Sequence, residues 1–107
     1  EILIPPKIIT KQVANADYIE TIRWGMRDCV TVGSCRRLSL LPFSTAGKTG
    51  TAQWSSQKEP HAWFTSFAPM ENPQVTVTIM IEEGEGGSTI GTPIAYEFYQ
   101  WWNQHRY

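Results

Sequence analysis

The chain has 107 residues, of which 41% are apolar and 18% charged, as is typical of one globular domain and not of a disordered segment. Nine basic and ten acidic residues give a net charge of −1, and this balance argues against a nucleic-acid surface. No apolar run in the sequence reaches the length of a membrane span. The five tryptophans indicate a large aromatic core or an interface.

A first helix is predicted to begin at Asp17, a good N-cap residue, with Glu20 completing a capping-box pair. Apolar residues then recur at three- and four-residue steps and form one face that we expect to lie in the core. That face consists of Ile19, Ile22, Met26, Cys29 and Val30. Gly33 is expected just beyond the end of the helix.

The two cysteines, Cys29 and Cys35, lie six residues apart, which is not the spacing of zinc ligands. His61 and His105 are isolated, so the sequence predicts neither a metal site nor a cofactor. A disulfide would require the chain to fold back at Gly33. We expect instead two reduced, partly buried thiols.

The middle of the chain predicts three strands after a connector over residues 34–44. The first strand runs from about Thr45 to Trp54. The second and third are His61–Pro69 and Val75–Glu82, and the short turn between them predicts an antiparallel hairpin.

A glycine-rich segment, Glu83–Gly91, follows the strands and is expected to be mobile. Thr92 is expected to cap a second helix, with Pro93 at its first position. The apolar face of this helix is predicted to contain Ile94, Ala95, Phe98, Trp101 and Trp102. Together the elements predict an α+β fold, in which an N-terminal and a C-terminal helix cover an antiparallel sheet of about three strands.

The most unusual stretch is Ala46–Gln53, Ala-Gly-Lys-Thr-Gly-Thr-Ala-Gln, where small side chains surround a single lysine. A nucleotide-binding P-loop would need a glycine at the position of Pro42 and a helix after the lysine, and the chain has neither. A carboxylate suits the stretch better, because an ammonium and neighbouring hydroxyls offer it charge-assisted hydrogen bonds.

In a regular strand the side chains of this stretch alternate between two faces. Thr49 and Thr51 would share one face with Gln53, whereas Lys48 would lie on the opposite face with Gly50. A bulge or twist near Gly50 would be needed for Lys48 and Thr51 to serve one ligand.

Ala46–Gln53 resembles the third motif of class B penicillin-binding proteins. Three further stretches agree with that family in the right order. They are Trp24–Arg27, His61–Pro69, and Asn72–Val75, the last of which leads into Ile81–Gly84 and Gly86–Ser88. The similarity covers residues 17 to 102 and is strongest to elongation-type peptidoglycan D,D-transpeptidases, which act in cell-wall synthesis and cell shape. It implies a partial penicillin-binding or serine β-lactamase-like fold.

The resemblance also implies a role for each matching residue. Lys48 would hold the carboxylate of the substrate or β-lactam and tune the proton network. Thr49 and Thr51 would supply hydroxyls beside that carboxylate, and the Thr51 backbone N–H would be an oxyanion-hole donor. Gly50 would keep the strand edge open. The alternative from the residues alone is a small-residue strand with a solvated lysine.

The family's serine nucleophile stands in a Ser-x-x-Lys motif, which this chain lacks except for the formal match Ser55–Lys58 in a predicted loop. We therefore expect residues 1–107 to be a C-terminal fragment of a transpeptidase domain that is inactive alone. The alternative is a non-enzymatic β-lactam sensor or a degenerate binding module.

The fragment hypothesis implies partners and a location. The expected partners are a peptidoglycan stem peptide or a β-lactam, the missing N-terminal part of the domain, and a second copy that associates through exposed sheet faces. The expected location is periplasmic or extracytoplasmic, with a membrane anchor outside this chain.

Overall fold

A computed structural model describes residue 5 and residues 7–106. Helix α1 spans Ala16–Thr31, and a short 3₁₀ helix at Arg36–Leu40 follows it. The strands are β1, Ala46–Ala52; β2, His61–Ala68; and β3, Val75–Ile81; helix α2, Gly91–His105, ends the fold. The predicted α+β architecture of two helices and a three-stranded antiparallel sheet is confirmed.

The sheet has the strand order β1-β2-β3, and both pairings are antiparallel. Its register places Thr49 opposite Phe64 and Phe64 opposite Ile79, so these residues share one face. We call this side the covered face, since Phe64 is buried there. The other side, which we call the open face, carries Lys48 and Trp63.

The core lies between the covered face, the 3₁₀ helix and the two helices. Its buried members are Val30, Cys35, Leu38, Leu41, Phe64, Ala68, Ala95 and Tyr99. Within it, the hydroxyls of Ser66 and Tyr99 are 2.9 Å apart. Burial raises the pKa of the Tyr99 phenol above its ordinary value of 10.0, so this hydroxyl stays protonated at neutral pH.

Helix α1 begins two residues earlier than predicted. Its N-cap is Asn15, whose side-chain oxygen accepts a hydrogen bond of 2.8 Å from the Asp17 N–H. Glu20 forms no capping box and pairs with Arg23 at 3.0 Å. The predicted cap at Asp17 was wrong because an asparagine of equal capping strength stands just ahead of it.

The predicted apolar face of α1 is buried only toward the C-terminal end of the helix. Val30 is fully buried, whereas Ile19 and Ile22 are 44% and 58% exposed. The helix is fastened to the sheet by Arg23, which donates to the Met70 carbonyl oxygen, and by Arg27, which donates to the Thr45 carbonyl oxygen at 2.7 Å. The predicted core position of Ile19 and Ile22 was wrong, because no described element covers them.

The cysteines are joined in a Cys29–Cys35 disulfide, and the expected pair of reduced thiols was wrong. The chain folds back just after α1, where the Gly33 N–H donates to the Asp28 carbonyl oxygen at 2.9 Å. A Cβ atom on Gly33 would lie 2.9 Å from the Cys29 Cα, so only glycine fits this return.

Helix α2 begins at Gly91, one residue before Thr92, and Ile90 is its N-cap. Thr92 was wrongly predicted as the cap, since its side chain is buried inside the first turn. The central buried residue of the helix is Tyr99, which the predicted apolar face omitted, while Ile94 and Trp101 are largely exposed. Tyr99 is drawn inward because Ser66 satisfies its hydroxyl.

Candidate active site

Strand β1 is a regular edge strand whose small residues make room for aromatic side chains of β2. A Cβ on Gly47 would lie 3.2 Å from the Phe64 ring, and one on Gly50 would lie 3.2 Å from the Trp63 Cβ. The ladder pairs every residue of β1 with one residue of β2. No bulge interrupts it at Gly50, so Lys48 and the two threonines do lie on opposite faces.

Lys48 lies on the open face with an exposed side chain. Its Nζ turns back along the strand and donates a hydrogen bond to the Thr49 carbonyl oxygen. Within the described residues the ion pairs are Arg23–Glu20 and Lys58–Glu83. No carboxylate in that part of the chain therefore pairs with the Lys48 ammonium.

Thr49 lies on the covered face and contacts the loop after α1. Its Oγ1 is 2.8 Å from the Ser34 Oγ, which is in turn 3.4 Å from the Cys29 Sγ. Thr51, two residues on, is exposed. The structure therefore places the Lys48 and Thr49 side chains on opposite sides of β1, where Lys48 Nζ reaches only the Thr49 carbonyl oxygen, and leaves Thr51 further along the same strand.

A shallow groove of about 140 Å³ runs along this part of the sheet. Its lining consists of Lys48, Thr49, Gly50, Trp63, Phe64 and Thr65. The surface that lines the groove is apolar, and a groove of this size holds a small group and not a whole peptide.

The glycine-rich segment is part of the scaffold behind the site, a role that the sequence did not reveal. Gly84 packs against Ala62, Gly91 packs against Phe64, and Gly87 lies between them on the covered face. A Cβ on Gly87 would lie 2.0 Å from the Trp63 carbonyl oxygen and 2.9 Å from the Gly50 carbonyl oxygen. Glycine in such a position often marks a place where another backbone approaches closely. The three glycines, together with the aromatic strand His61–Ala68, are therefore the sequence signal that could have indicated this contact.

The formal Ser-x-x-Lys match does not form a nucleophile and base pair. Ser55 Oγ accepts the Gln57 N–H at 3.2 Å. Lys58 Nζ instead pairs with Glu83 at 3.1 Å and lies 4.6 Å from the centre of the Trp54 ring. The geometry therefore gives no support to Ser55 and Lys58 as a catalytic pair.

The described residues contain neither a membrane-spanning helix nor a cluster of metal-binding side chains. No helix in residues 5 and 7–106 is long and apolar enough to cross a membrane. The same residues contain no group of three or more histidine, cysteine, aspartate or glutamate side chains placed to hold a metal ion.

Comparison with protein families and with curated relatives gives one consistent result. The family model for the penicillin binding protein transpeptidase domain matches residues 2–100. The Haemophilus influenzae peptidoglycan D,D-transpeptidase MrdA is 36% identical over 107 aligned residues, which cover 87% of this chain and 16% of that protein. A 42-residue stretch is 43% identical to the Mycolicibacterium smegmatis D,D-transpeptidase PbpA, covering 36% of this chain and 9% of the relative.

Solved structures agree with the sequence comparison. Pseudomonas aeruginosa PBP2, solved in complex with WCK 5153, matches with a TM-score of 0.71 and 32% identity over 91% of this chain and 21% of that one. Helicobacter pylori PBP2, solved in complex with MreC, matches with a TM-score of 0.70 and 30% identity over 92% and 20%. The chain thus spans about one fifth of these two structures and less than one fifth of the two curated relatives, and it belongs to the penicillin-binding protein transpeptidase family.

Proposed function

We propose that this chain supplies the Lys-Thr-Gly wall of a peptidoglycan D,D-transpeptidase active site, where it binds the carboxylate of a stem peptide or of a β-lactam. The observation that carries the proposal is the Lys48 ammonium, which has no carboxylate partner in the described chain and is held at the open edge of β1. An incoming carboxylate would replace the Thr49 carbonyl oxygen as its acceptor and gain a charge-assisted hydrogen bond.

The alternation of an antiparallel ladder supports a backbone role for Thr51. Residues of an edge strand direct both their N–H and C=O either toward the partner strand or away from it, in alternation. Because Lys48 Nζ reaches the Thr49 carbonyl oxygen, we assign Thr49 to the outward-directed set, to which Thr51 also belongs. The Thr51 N–H would then face a developing oxyanion, and Gly50 would leave that approach clear of a side chain.

The proposal assigns the serine nucleophile to residues outside this chain, within a complete transpeptidase domain. It also implies an extracytoplasmic location beside the peptidoglycan. The Cys29–Cys35 disulfide supports that location, because structural disulfides persist in oxidising compartments.

A binding experiment on the whole 107-residue chain tests the carboxylate site. Acetyl-D-alanyl-D-alanine is titrated while backbone amide shifts are recorded by NMR. We expect millimolar binding with shifts confined to Lys48 through Thr51 and the facing groove. Lys48→Gln should abolish these shifts, whereas Lys58→Gln, which removes a lysine paired with Glu83, should leave them unchanged. Equal effects of the two substitutions would contradict the proposal.

A second experiment tests whether the wall serves acylation. The corresponding segment of the Haemophilus influenzae transpeptidase is replaced by this chain, and labelling by a fluorescent penicillin is measured. We expect the exchanged enzyme to be labelled and Lys48→Gln to slow its acylation by about 10- to 100-fold, since a charge-assisted hydrogen bond is lost. The isolated chain should not be labelled. Label on Ser55 of the isolated chain would overturn the proposal, and an exchanged enzyme that binds penicillin without acylation would favour the sensor alternative.

A further inference from the structure

The loop between α1 and the 3₁₀ helix is anchored on both sides of one serine. On one side of Ser34, the Gly33 N–H donates to the Asp28 carbonyl oxygen at 2.9 Å. On the other, the Cys35 N–H donates to the Cys29 carbonyl oxygen at 2.8 Å, and the Cys35 side chain is fully buried and bonded to Cys29. Ser34 is therefore fixed by backbone hydrogen bonds and a covalent link to the last turn of α1.

The hydroxyl that this loop presents contacts Thr49, the neighbour of Lys48 in β1. Ser34 Oγ lies 2.8 Å from Thr49 Oγ1 and 3.4 Å from Cys29 Sγ. The disulfide sulfur carries no hydrogen and is only a weak acceptor, so the single Ser34 proton goes to the stronger acceptor, Thr49 Oγ1. When Ser34 donates its proton to Thr49 Oγ1, the Thr49 proton is left free for an acceptor outside the protein.

We propose that Ser34 is a positioning residue for Thr49 and that the Cys29–Cys35 disulfide is the tether that holds Ser34 in place. The proposal rests on the proposed function and adds to it that the Thr49 hydroxyl donates to the ligand carboxylate that Lys48 binds. Because the rotamer and the donor direction of Thr49 are fixed before binding, ligand binding does not cost the conformational entropy of ordering this side chain.

The tether makes carboxylate binding depend on the oxidation state of the cysteines. A dithiol reductant breaks the Sγ–Sγ bond by thiol–disulfide exchange, transfers two electrons and two protons to the two sulfurs, and leaves as its own cyclic disulfide. Reduction removes this covalent link and leaves residues 32–35 held by the backbone hydrogen bonds alone.

The positioning geometry is tested without any ligand. The whole chain is isotope-labelled, and three-bond couplings report the side-chain rotamer of Thr49. We expect a single rotamer in the wild type and in Ser34→Thr, and averaging over rotamers in Ser34→Ala and in the reduced wild type. Ser39→Ala is the matched control, because Ser39 lies in the same connector but bonds the Arg36 carbonyl oxygen. A Thr49 rotamer that is unchanged in Ser34→Ala overturns the proposal.

The consequence for binding is tested with acetyl-D-alanyl-D-alanine as the probe. We expect Ser34→Ala to weaken its binding about fivefold and reduction with dithiothreitol to weaken it about two- to fivefold. Reduction should have no further effect in Ser34→Ala, because both changes act through one hydroxyl. Additive effects, or full affinity in Ser34→Ala, would overturn the positioning role while the proposed function stands. A wild type that does not bind the probe contradicts the proposed function alone, since the rotamer measurement still decides the role of Ser34.

Discussion

The two faces of the sheet carry similar side chains but stand in different surroundings. Phe64 on the covered face is 1% exposed, whereas Trp63, the adjacent residue on the open face, is 42% exposed. Met80, on β3 opposite Trp63, is also half exposed. Hydrophobicity alone does not decide which face is buried. The covered face stabilises the fold, and the open face leaves Lys48 accessible.

The largest expected effect comes from deleting one aromatic side chain on each face. Phe64→Ala leaves a cavity at the centre of the core and should cost about 3–5 kcal/mol of unfolding free energy. Trp63→Ala removes a side chain that water already reaches and should cost about 1 kcal/mol or less. Urea denaturation of both variants measures the difference. Equal losses would show that the two faces are equally important for stability.

A second prediction concerns the glycine loop behind β1 and β2. Gly87→Ala places a methyl group against the carbonyl oxygens of Trp63 and Gly50, so the strands must shift, and we expect a loss of about 2–3 kcal/mol. Gly86→Ala is the control, because the atom nearest to the added Cβ would be Thr89 Oγ1, at 3.8 Å. None of the described glycines has a positive φ, so the difference reports the close contact and not backbone strain. Similar urea midpoints for the two variants would contradict this prediction.

A third, smaller effect distinguishes the two hydroxyl pairs of the sheet. Tyr99→Phe leaves the buried Ser66 hydroxyl without a partner and should cost about 1–2 kcal/mol. On the open face, Thr65 and Thr78 form a similar pair at 3.0 Å that water can replace. Thr78→Val should therefore change the unfolding free energy by less than about 0.5 kcal/mol. Thermal or urea unfolding measures both, and the order of the two costs is the decisive result.

The smallest effect lies outside both faces, in the turn between β2 and β3. A hydrogen bond from the Ser44 hydroxyl holds the pKa of Glu71 below its ordinary value of 4.5. A depressed carboxyl pKa contributes stability above that value, and this contribution is lost as the pH falls through the folded-state pKa. Glu71→Gln should therefore flatten the decline of stability below about pH 4.5. Unfolding midpoints between pH 7 and pH 2 check this.

Much of the fold could be predicted because local patterns agree with it. The alternation from Val75 to Ile81 marked β3, and the periodicity around Val30 marked α1. The sequence could not show that α1 extends past its contact with the sheet, since Ile19 and Val30 follow the same period. It also could not distinguish a disulfide from free thiols, because that depends on the return of the chain at Gly33.

The candidate site likewise has residues that the sequence could indicate and supporting residues that it could not. The motif made Lys48, Thr49, Gly50 and Thr51 candidates for the site, and the regular ladder confirms their alternation between the two faces of the strand. The supports of the site could not be named from it, because Ser34 and Gly87 are distant from the motif in sequence and meet it only through tertiary contacts. Such contacts leave no periodic signal in the chain.

Strand β3 forms the second edge of the described sheet and has consequences for handling the protein. Val75–Ile81 has four branched apolar residues and neither charge nor proline, so its unpaired edge is a template for strands of other molecules. We therefore expect aggregation through this edge to limit the soluble concentration of the chain. Charged or proline substitutions at its outward-facing positions are the natural means of raising that limit.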